Sequence, residues 1–228
     1  LYHGEISELD AILEPLLAAA DDNKTLVVVT SDHGESFGHN YWFNHRDGLW
    51  DEVIKVPLIF KGPNVEARKR VGALTGLIDV TPTILDFLEM EPLENINGSS
   101  ARDCITTPVY RPAIFSMTDP NRPIPQFAKR TLGHKLIAKR KDGKTVMDGA
   151  MRYLIPKDPN EMNPNAELNE HFVDIDKEYA GLIGPVIKQW QGPVPEKSDQ
   201  KPPPTTEEHE RLKALGYVDG PAKAPTPK

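Results

Sequence analysis

The chain opens with apolar residues at helical spacing and passes into a short apolar run. Within residues 4–20 the apolar positions recur every three or four residues, which predicts an amphipathic helix with a kink or a break at Pro15. Residues 25–30 are almost continuously apolar and rich in Val and Thr, which is typical of a strand buried on both faces of a parallel sheet. A helix followed by such a strand predicts the α/β class.

A polar loop and a second short strand follow. The loop covers residues 31–52, and the apolar residues 56–60 form the strand, in which Pro57 indicates a sheet edge or a strand start. Thr81 and Pro82 then predict the start of a helix, since Thr is a common cap and Pro is favoured at the first helical position.

The pattern changes near residue 112, where short apolar segments alternate with turn signals. Asp142-Gly143 and Asp148-Gly149 are such signals, and the segments between them predict a small antiparallel sheet followed by a helix at Glu178–Trp190. We therefore predict three parts. Residues 1–111 are an α/β part, 112–191 are a small α+β subdomain, and 192–228 are a Pro-rich linker, a short docking helix and a disordered tail.

Composition excludes several classes of protein. With 27 basic and 34 acidic residues the net charge is −7, which argues against nucleic acid as a partner. No apolar run approaches the roughly 20 residues that span a bilayer. The single cysteine, Cys104, excludes an internal disulfide framework and a multi-cysteine zinc site. Because the chain starts at Leu1 without Met, we expect it to be a piece of a longer protein or a processed product.

The residues that carry chemistry follow the first predicted strand. Asp32 and His33 stand where the strand ends, and ligands of open α/β sheets bind at the carboxyl ends of strands. A carboxylate beside an imidazole suits a divalent cation, and Gly34 provides the sharp exit from the strand. The alternative is an ordinary turn in which Asp caps, His is solvated and Gly takes a positive φ. Two ligands also leave a cation site incomplete.

Several segments in order resemble the sulfatase family of the alkaline phosphatase superfamily, in particular the C-terminal portion of a bacterial-type sulfatase. The similarity covers most of residues 2–218, and the ordered set is more specific than any one segment. The segments are Tyr2–Asp10, Thr30–Glu35, Leu49–Glu52, Lys55–Ile59, Leu77–Asp86, Lys135–Ile137, Asp158–Glu161 and Leu212–Val218. The fold implied is part of an alkaline-phosphatase-like sheet with flanking helices, then a small antiparallel sheet and a helix.

The resemblance implies roles for individual residues. Asp32 and His33 would bind the active-site cation, which in this family is usually calcium, with magnesium or manganese as alternatives. His45 would contact the substrate anion or protonate the leaving group, at a position where many members have Lys. Arg46 would add a fixed positive charge for the substrate. Glu35 and His39 would lie around the cation's ligands without binding it.

The resemblance also implies what lies outside this chain. Sulfatases attack sulfur with a formylglycine made from the first residue of a Cys/Ser-x-Pro/Ala-x-Arg motif, and Cys104 lacks that frame. We therefore expect a missing N-terminal half as partner and a sulfuric ester hydrolase acting on a sulfate ester such as a sulfated glycan. Such enzymes are commonly periplasmic, secreted or lysosomal. The alternatives are a phosphodiesterase, phosphonate hydrolase or phosphoglycerol transferase of the same superfamily, and a non-catalytic binding module.

Overall fold

The computed structural model divides the chain into two compact units. The first unit contains residues up to Asp32 together with Val56–Ile114, and the second contains His33–Lys55 and the chain from Phe115 onward. The three parts predicted from the sequence, 1–111, 112–191 and 192–228, stay a prediction. The residues described are 2–20, 23–40, 45, 48–106, 111–119, 124–142, 144–165, 172, 174–182, 205–207 and 210.

The first unit begins with helix α1, Tyr2–Ala19, which continues through Pro15. The helix is therefore not broken at Pro15, and a kink there stays a prediction. The apolar face predicted for this helix is present but uncovered, and none of its residues is buried. Ile12 and Leu16 expose 62% and 68% of their surface.

Strand β1, Val27–Thr30, pairs with strand β2, Leu58–Lys61, in antiparallel orientation, with Val28 opposite Phe60. The expectation of a parallel strand buried on both faces is therefore wrong for this chain. Among the described residues the two strands form a two-stranded sheet, and β1 is only partly buried.

The other described residues of the first unit are helical or irregular. A 3-10 turn at Leu77–Asp79 leads into helix α3, Val80–Phe87. Thr81, predicted as the cap, therefore lies inside the first turn, and Pro82 is the third helical residue rather than the first. The buried carboxylate of Asp79 accepts bonds from the backbone N–H of Gly76 and from the guanidinium of Arg111. A short helix α4 covers Asp103–Thr106.

The second unit is built on a four-stranded sheet in the order β3-β4-β5-β6, and the predicted small sheet is confirmed. Both β4/β5 and β5/β6 are antiparallel. The bounds are β3 Ile114–Met117, β4 Gln126–Arg130, β5 His134–Lys141 and β6 Lys144–Leu154. A four-residue helix α2, Asp51–Ile54, and helix α5, Ile175–Leu182, also lie in this unit. Residues 183–190 of the predicted last helix and most of 192–228 lie outside the described residues.

The turn predicted at Asp148-Gly149 is wrong, because both residues lie within β6. The chain accommodates them as a bulge. Opposite β5 the register moves from Met151, which faces Ile137, to Val146, which faces Lys139. The extra residues on β6 are taken up where Gly149 has a φ of +67°, a conformation that glycine adopts without strain.

Each face of this sheet carries its own apolar cluster, because adjacent residues of a strand point to opposite sides. One cluster joins Phe127 and Leu136 to Phe172 and Ile175, at the start of α5. The other joins Ala128, Ile137, Tyr153 and Ile155 to Leu49, which precedes α2. The loop after β1 thus belongs to the core of the later sheet. Within the described residues, no helix combines the length and the apolar character needed to cross a membrane.

Candidate functional site

The loop of the candidate site is anchored at Gly34. Its N–H donates to the carbonyl of Val53 over 2.7 Å, and a Cβ added to Gly34 would lie 2.3 Å from the carbonyl oxygen of Glu52. Gly34 is not among the residues with positive φ. Glycine is therefore required here because two backbone segments approach closely, and not because the backbone turns into the left-handed region.

His33 is held in one orientation by the backbone that follows it. Its Nδ1 lies 2.8 Å from the carbonyl oxygen of Gly34. Since a carbonyl only accepts, Nδ1 carries a hydrogen, and a cation would be bound through Nε2. A histidine that binds a metal through one ring nitrogen usually donates its other ring N–H to a carbonyl or carboxylate. Asp32, the last residue of the first unit, is exposed, and Ser31 Oγ donates to its Oδ1 over 3.4 Å.

The structure brings His33, His45 and Glu35 together. The rings of the two histidines stack with centroids 4.1 Å apart and planes 16° from parallel. Nδ1 of His45 lies 2.9 Å from Oε2 of Glu35. An ionised carboxylate only accepts, so Nδ1 of His45 donates, and Glu35 fixes both the tautomer and the direction of this ring. Glu35 thus contacts a candidate catalytic residue directly, whereas the sequence assigned it only a place around the cation's ligands.

His39 lies with a different acid. Its Nδ1 is 3.6 Å from Oε2 of Glu52, and its side chain is largely exposed. The other oxygen of Glu52 accepts a bond from the hydroxyl of the buried Ser36 over 2.9 Å and from the N–H of Asn40 over 3.3 Å. Glu52 therefore organises residues 36–40. The sequence reading noted Glu52 only as part of a family segment, since its partners are 12 and 16 residues earlier.

A buried ion network lies behind the loop and was not foreseen. Nζ of Lys135, which is fully buried, contacts Oδ1 of Asp51 at 2.6 Å and Oε1 of Glu161 at 2.7 Å. Nε of Arg130 adds a longer contact to Oδ2 of Asp51, at 3.6 Å. Two cations thus balance two carboxylates.

The two carboxylates of this network titrate in opposite directions. Burial works to raise the pKa of Asp51, but the charges and hydrogen bond of Lys135 outweigh it, so that the pKa is lowered from its ordinary value. Burial dominates at Glu161, and with the neighbouring charge of Asp51 it raises the pKa of Glu161 above its ordinary value. Lys135 therefore favours the charged form of Asp51 enough to outweigh burial, whereas at Glu161 burial outweighs it.

The proposed cation ligands are tested by the chemistry of their donors. Asp32 and His33 supply a carboxylate oxygen and an imidazole nitrogen, both suited to a divalent cation, and the bond from His33 to Gly34 suits ligation through Nε2. Within the described ranges, no three His, Cys, Asp or Glu side chains form a cluster that could hold a metal ion. The two donors thus fit as part of a ligand set. Arg46 lies outside the described residues.

Comparison with known proteins relates the first part of the chain to one family. The family model named Sulfatase matches residues 1–90, which include Asp32, His33 and His45. Arylsulfatase K of Gallus gallus is 32% identical over 103 residues, and that of Homo sapiens is 30% identical over the same length. This part of the chain is similar to the sulfatase family. Each alignment covers 43% of this chain and 19% of the relative, so it spans about a fifth of these curated relatives.

Solved sulfatases share the fold. A putative sulfatase from Bacteroides thetaiotaomicron superposes with a TM-score of 0.66 at 19% identity, covering 86% of this chain and 45% of that one. BT4656, solved with its substrate D-glucosamine-2-N,6-O-disulfate, superposes with a TM-score of 0.56 at 24% identity, covering 85% and 40%. The predicted alkaline-phosphatase-like fold is thereby confirmed, as part of a larger sulfatase fold.

Proposed function

We propose that the protein containing this chain hydrolyses sulfate esters. The observation that carries the proposal is the group His33, His45 and Glu35, assembled directly after β1 within the segment that matches the family. Two stacked imidazoles, one oriented by a backbone carbonyl and one by a carboxylate, provide oriented ring nitrogens of the kind that bind a cation and transfer a proton.

Asp32 and His33 hold a divalent cation in this proposal, with calcium as the first choice and magnesium or manganese as alternatives. Further ligands come from parts of the protein beyond this chain, since a hard cation takes about six or more oxygen or nitrogen ligands. When bound, such a cation supplies Lewis-acid stabilisation of negative charge on the sulfuryl oxygens. The bond from Nδ1 of His33 to Gly34 keeps Nε2 as the donor atom.

His45 acts on the substrate. In its protonated form, with Nδ1–H bonded to Glu35, the ring carries a second proton on Nε2, which donates to a sulfate oxygen or passes to the leaving alcohol. Glu35 keeps this ring from rotating, so that the proton is held at a defined position. Arg46, the next residue, adds a permanent positive charge for the anion.

The nucleophile is proposed to be a formylglycine from outside this chain. Cys104 stands in Arg102–Thr107 without the Pro or Ala and the Arg that the family motif requires. The substrate class is proposed to be a sulfated glycan, because BT4656, which shares the fold, was solved with a disulfated glucosamine as its substrate. The missing N-terminal half completes the site.

The experiment uses the full-length protein with an aryl sulfate, an aryl phosphodiester and a sulfated glucosamine as substrates. We expect hydrolysis of the sulfates, loss of activity on chelation and recovery with calcium, magnesium or manganese. Asp32→Ala should lower kcat/KM by at least about 100-fold through loss of a cation ligand. His45→Gln should lower kcat by about 100-fold through loss of proton transfer.

The matched control is His134→Gln, which removes an imidazole at the start of β5, outside the candidate site. We expect its activity to equal that of the wild type. Preference for the phosphodiester would favour the other enzymes of the superfamily. Undiminished activity in Asp32→Ala would remove the proposed cation site, and a wild type inert on every substrate would leave a binding module.

A further inference from the structure

Helix α2 joins the loop of the candidate site to the later sheet. On one side, the carbonyl of Val53 accepts the N–H of Gly34, the residue that orients His33. On the other side, Leu49 and Trp50, which immediately precede the helix, pack in the apolar cluster of the sheet. A helix of four residues cannot hold its own position, since one isolated turn is far below the length that is stable in water. Something in the sheet must fix it.

Three side chains aligned across the sheet contact α2 and its N-cap residue, Trp50. Arg130 of β4 is directly opposite Lys135 of β5, which is directly opposite Tyr153 of β6. Directly opposed residues project from the same face of an antiparallel sheet. We call these three residues the cross-strand row. Each of them points at residue 50 or 51.

The contacts of the row are polar and specific. Nζ of Lys135 and Nε of Arg130 reach the two oxygens of Asp51, at 2.6 and 3.6 Å. The hydroxyl of Tyr153 accepts the indole N–H of Trp50 over 3.2 Å. Glu161 completes the arrangement, since Oε2 accepts the N–H of Asp51 over 2.7 Å while Oε1 pairs with Lys135.

Apolar side chains would have covered this face at lower cost. A fully buried lysine loses its hydration, and replacement of a buried ion pair by packed apolar residues is often neutral or stabilising. What apolar packing lacks is direction. Charged groups that must meet named oxygens admit one rotation and one shift of α2 over the sheet, which apolar contacts alone tolerate far less strictly.

We propose that Lys135, at the centre of the cross-strand row, is a positioning residue for the sulfatase site. Lys135 fixes Asp51 and thereby the position of α2. Helix α2 places the carbonyl of Val53, which holds the N–H of Gly34. Gly34 in turn orients His33, on which the ring of His45 stacks. The proposal rests on the proposed function for its catalytic consequence, but the positioning of Gly34 is a property of the chain itself.

The test compares two buried lysines of the same sheet in the full-length protein. Lys135→Met removes the centre of the row. Lys129→Met is the matched control, because Lys129 is also buried, lies next to Arg130 on the opposite face of β4, and pairs with Glu178 of α5 rather than with α2. The first measurement is hydrogen exchange at the amide of Gly34, referred to the amide of Leu136 in the sheet centre.

We expect Lys135→Met to speed exchange at Gly34 by about 100-fold relative to Leu136, because a lost buried charge partner frees α2 while the sheet stays closed. Calcium affinity should fall by about 10–100-fold, and kcat should fall more than KM rises. Lys129→Met should leave the Gly34 to Leu136 ratio and kcat within about threefold of the wild type.

Equal ratios in the two variants, or an unchanged ratio in a folded Lys135→Met, would overturn the proposal. If that variant does not fold, Glu161→Gln serves in its place. It keeps the size of the side chain and the pair of Lys135 with Asp51 but weakens the bond to the N–H of Asp51, so we expect exchange at Gly34 to quicken by about 10-fold. No change there would equally refute positioning. A wild type without sulfatase activity contradicts the proposed function alone, since the exchange ratio does not depend on turnover.

Discussion

The two units of this chain differ in how far their apolar side chains are buried. In the first unit, the apolar face of α1 is exposed, and Leu16 leaves 68% of its surface open to solvent. In the second unit, apolar residues on both faces of the sheet are enclosed, and Leu136 is fully buried. Burial of a leucine side chain contributes about 2 kcal/mol of transfer free energy, so the stability of the described chain resides mainly in the second unit.

The difference follows from what each unit has to pack against. The sheet of the second unit receives Phe172 and α5 on one face and the segment around α2 on the other. The two-stranded sheet and α1 of the first unit have no comparable cover among the described residues. Since solved sulfatases are more than twice as long as the matched region, we expect the apolar face of α1 to pack within the larger fold.

The largest expected effect comes from removing the same side chain in each unit. Leu136→Ala should destabilise this chain by about 3–4 kcal/mol, because it removes buried methyl groups and leaves a cavity. Leu16→Ala should change stability by less than about 0.5 kcal/mol, because the side chain is already solvated and Ala favours the helix. Urea unfolding followed by circular dichroism measures both. Similar losses in the two variants would show that the face of α1 is covered in solution.

An intermediate effect is expected from pH, acting on the second unit. The pKa of Glu161 is raised, so its folded form binds a proton more tightly, and stability should rise as the pH falls from the raised pKa to the ordinary value of 4.5. The pKa of Asp51 is lowered, so its contribution is present above its ordinary value of 3.8 and is lost as the pH falls below it.

Thermal melts across this range should therefore show greatest stability in mild acid. Glu161→Gln should remove the rise on the alkaline side of the maximum, and Asp51→Asn should reduce the fall on the acid side. Asp176, whose pKa is also lowered because bonds to Thr145 and Arg140 outweigh its desolvation, keeps part of that fall. Identical pH profiles for the wild type and both variants would mean that the buried network does not set the acid response.

The smallest effect on stability, though a visible one on solubility, is expected on α1. We predict that the isolated chain aggregates, because an uncovered apolar helix face and the free edges of a two-stranded sheet invite association. Leu9→Glu should raise the soluble fraction while leaving the melting of the second unit unchanged. Analytical ultracentrifugation of both proteins provides the measurement. A monomeric wild type with a sharp melt would contradict the prediction.

Local patterns predicted the elements well and their partners poorly. The apolar runs placed β1 and the strands of the second unit, since strand formation leaves its pattern in neighbouring residues. The antiparallel pairing of β1 was missed, because the partner of a strand is chosen by the whole fold. The bulge at Gly149 was read as a turn, since glycine with a positive φ serves both structures.

The candidate site likewise contains residues that the sequence predicts and contacts that it does not. Asp32, His33 and His45 could be chosen from one short segment that resembles a known family. The bond of Glu35 to His45 and the role of Lys135 could not, because they depend on side-chain directions and on residues far along the chain. Lysine is also rarely buried, so periodicity gives no reason to look for it inside a core.

The large sequence separation between Asp51 and its partners has a consequence for synthesis of the protein. Its partners Lys135 and Glu161 are 84 and 110 residues further along the chain. A ribosome adds about 5–20 residues each second, so the segment bearing His33 and His45 emerges many seconds before the groups that hold it. During that interval the segment has no fixed place, and a chaperone or modifying enzyme has a window in which to reach it before the last strands close over α2.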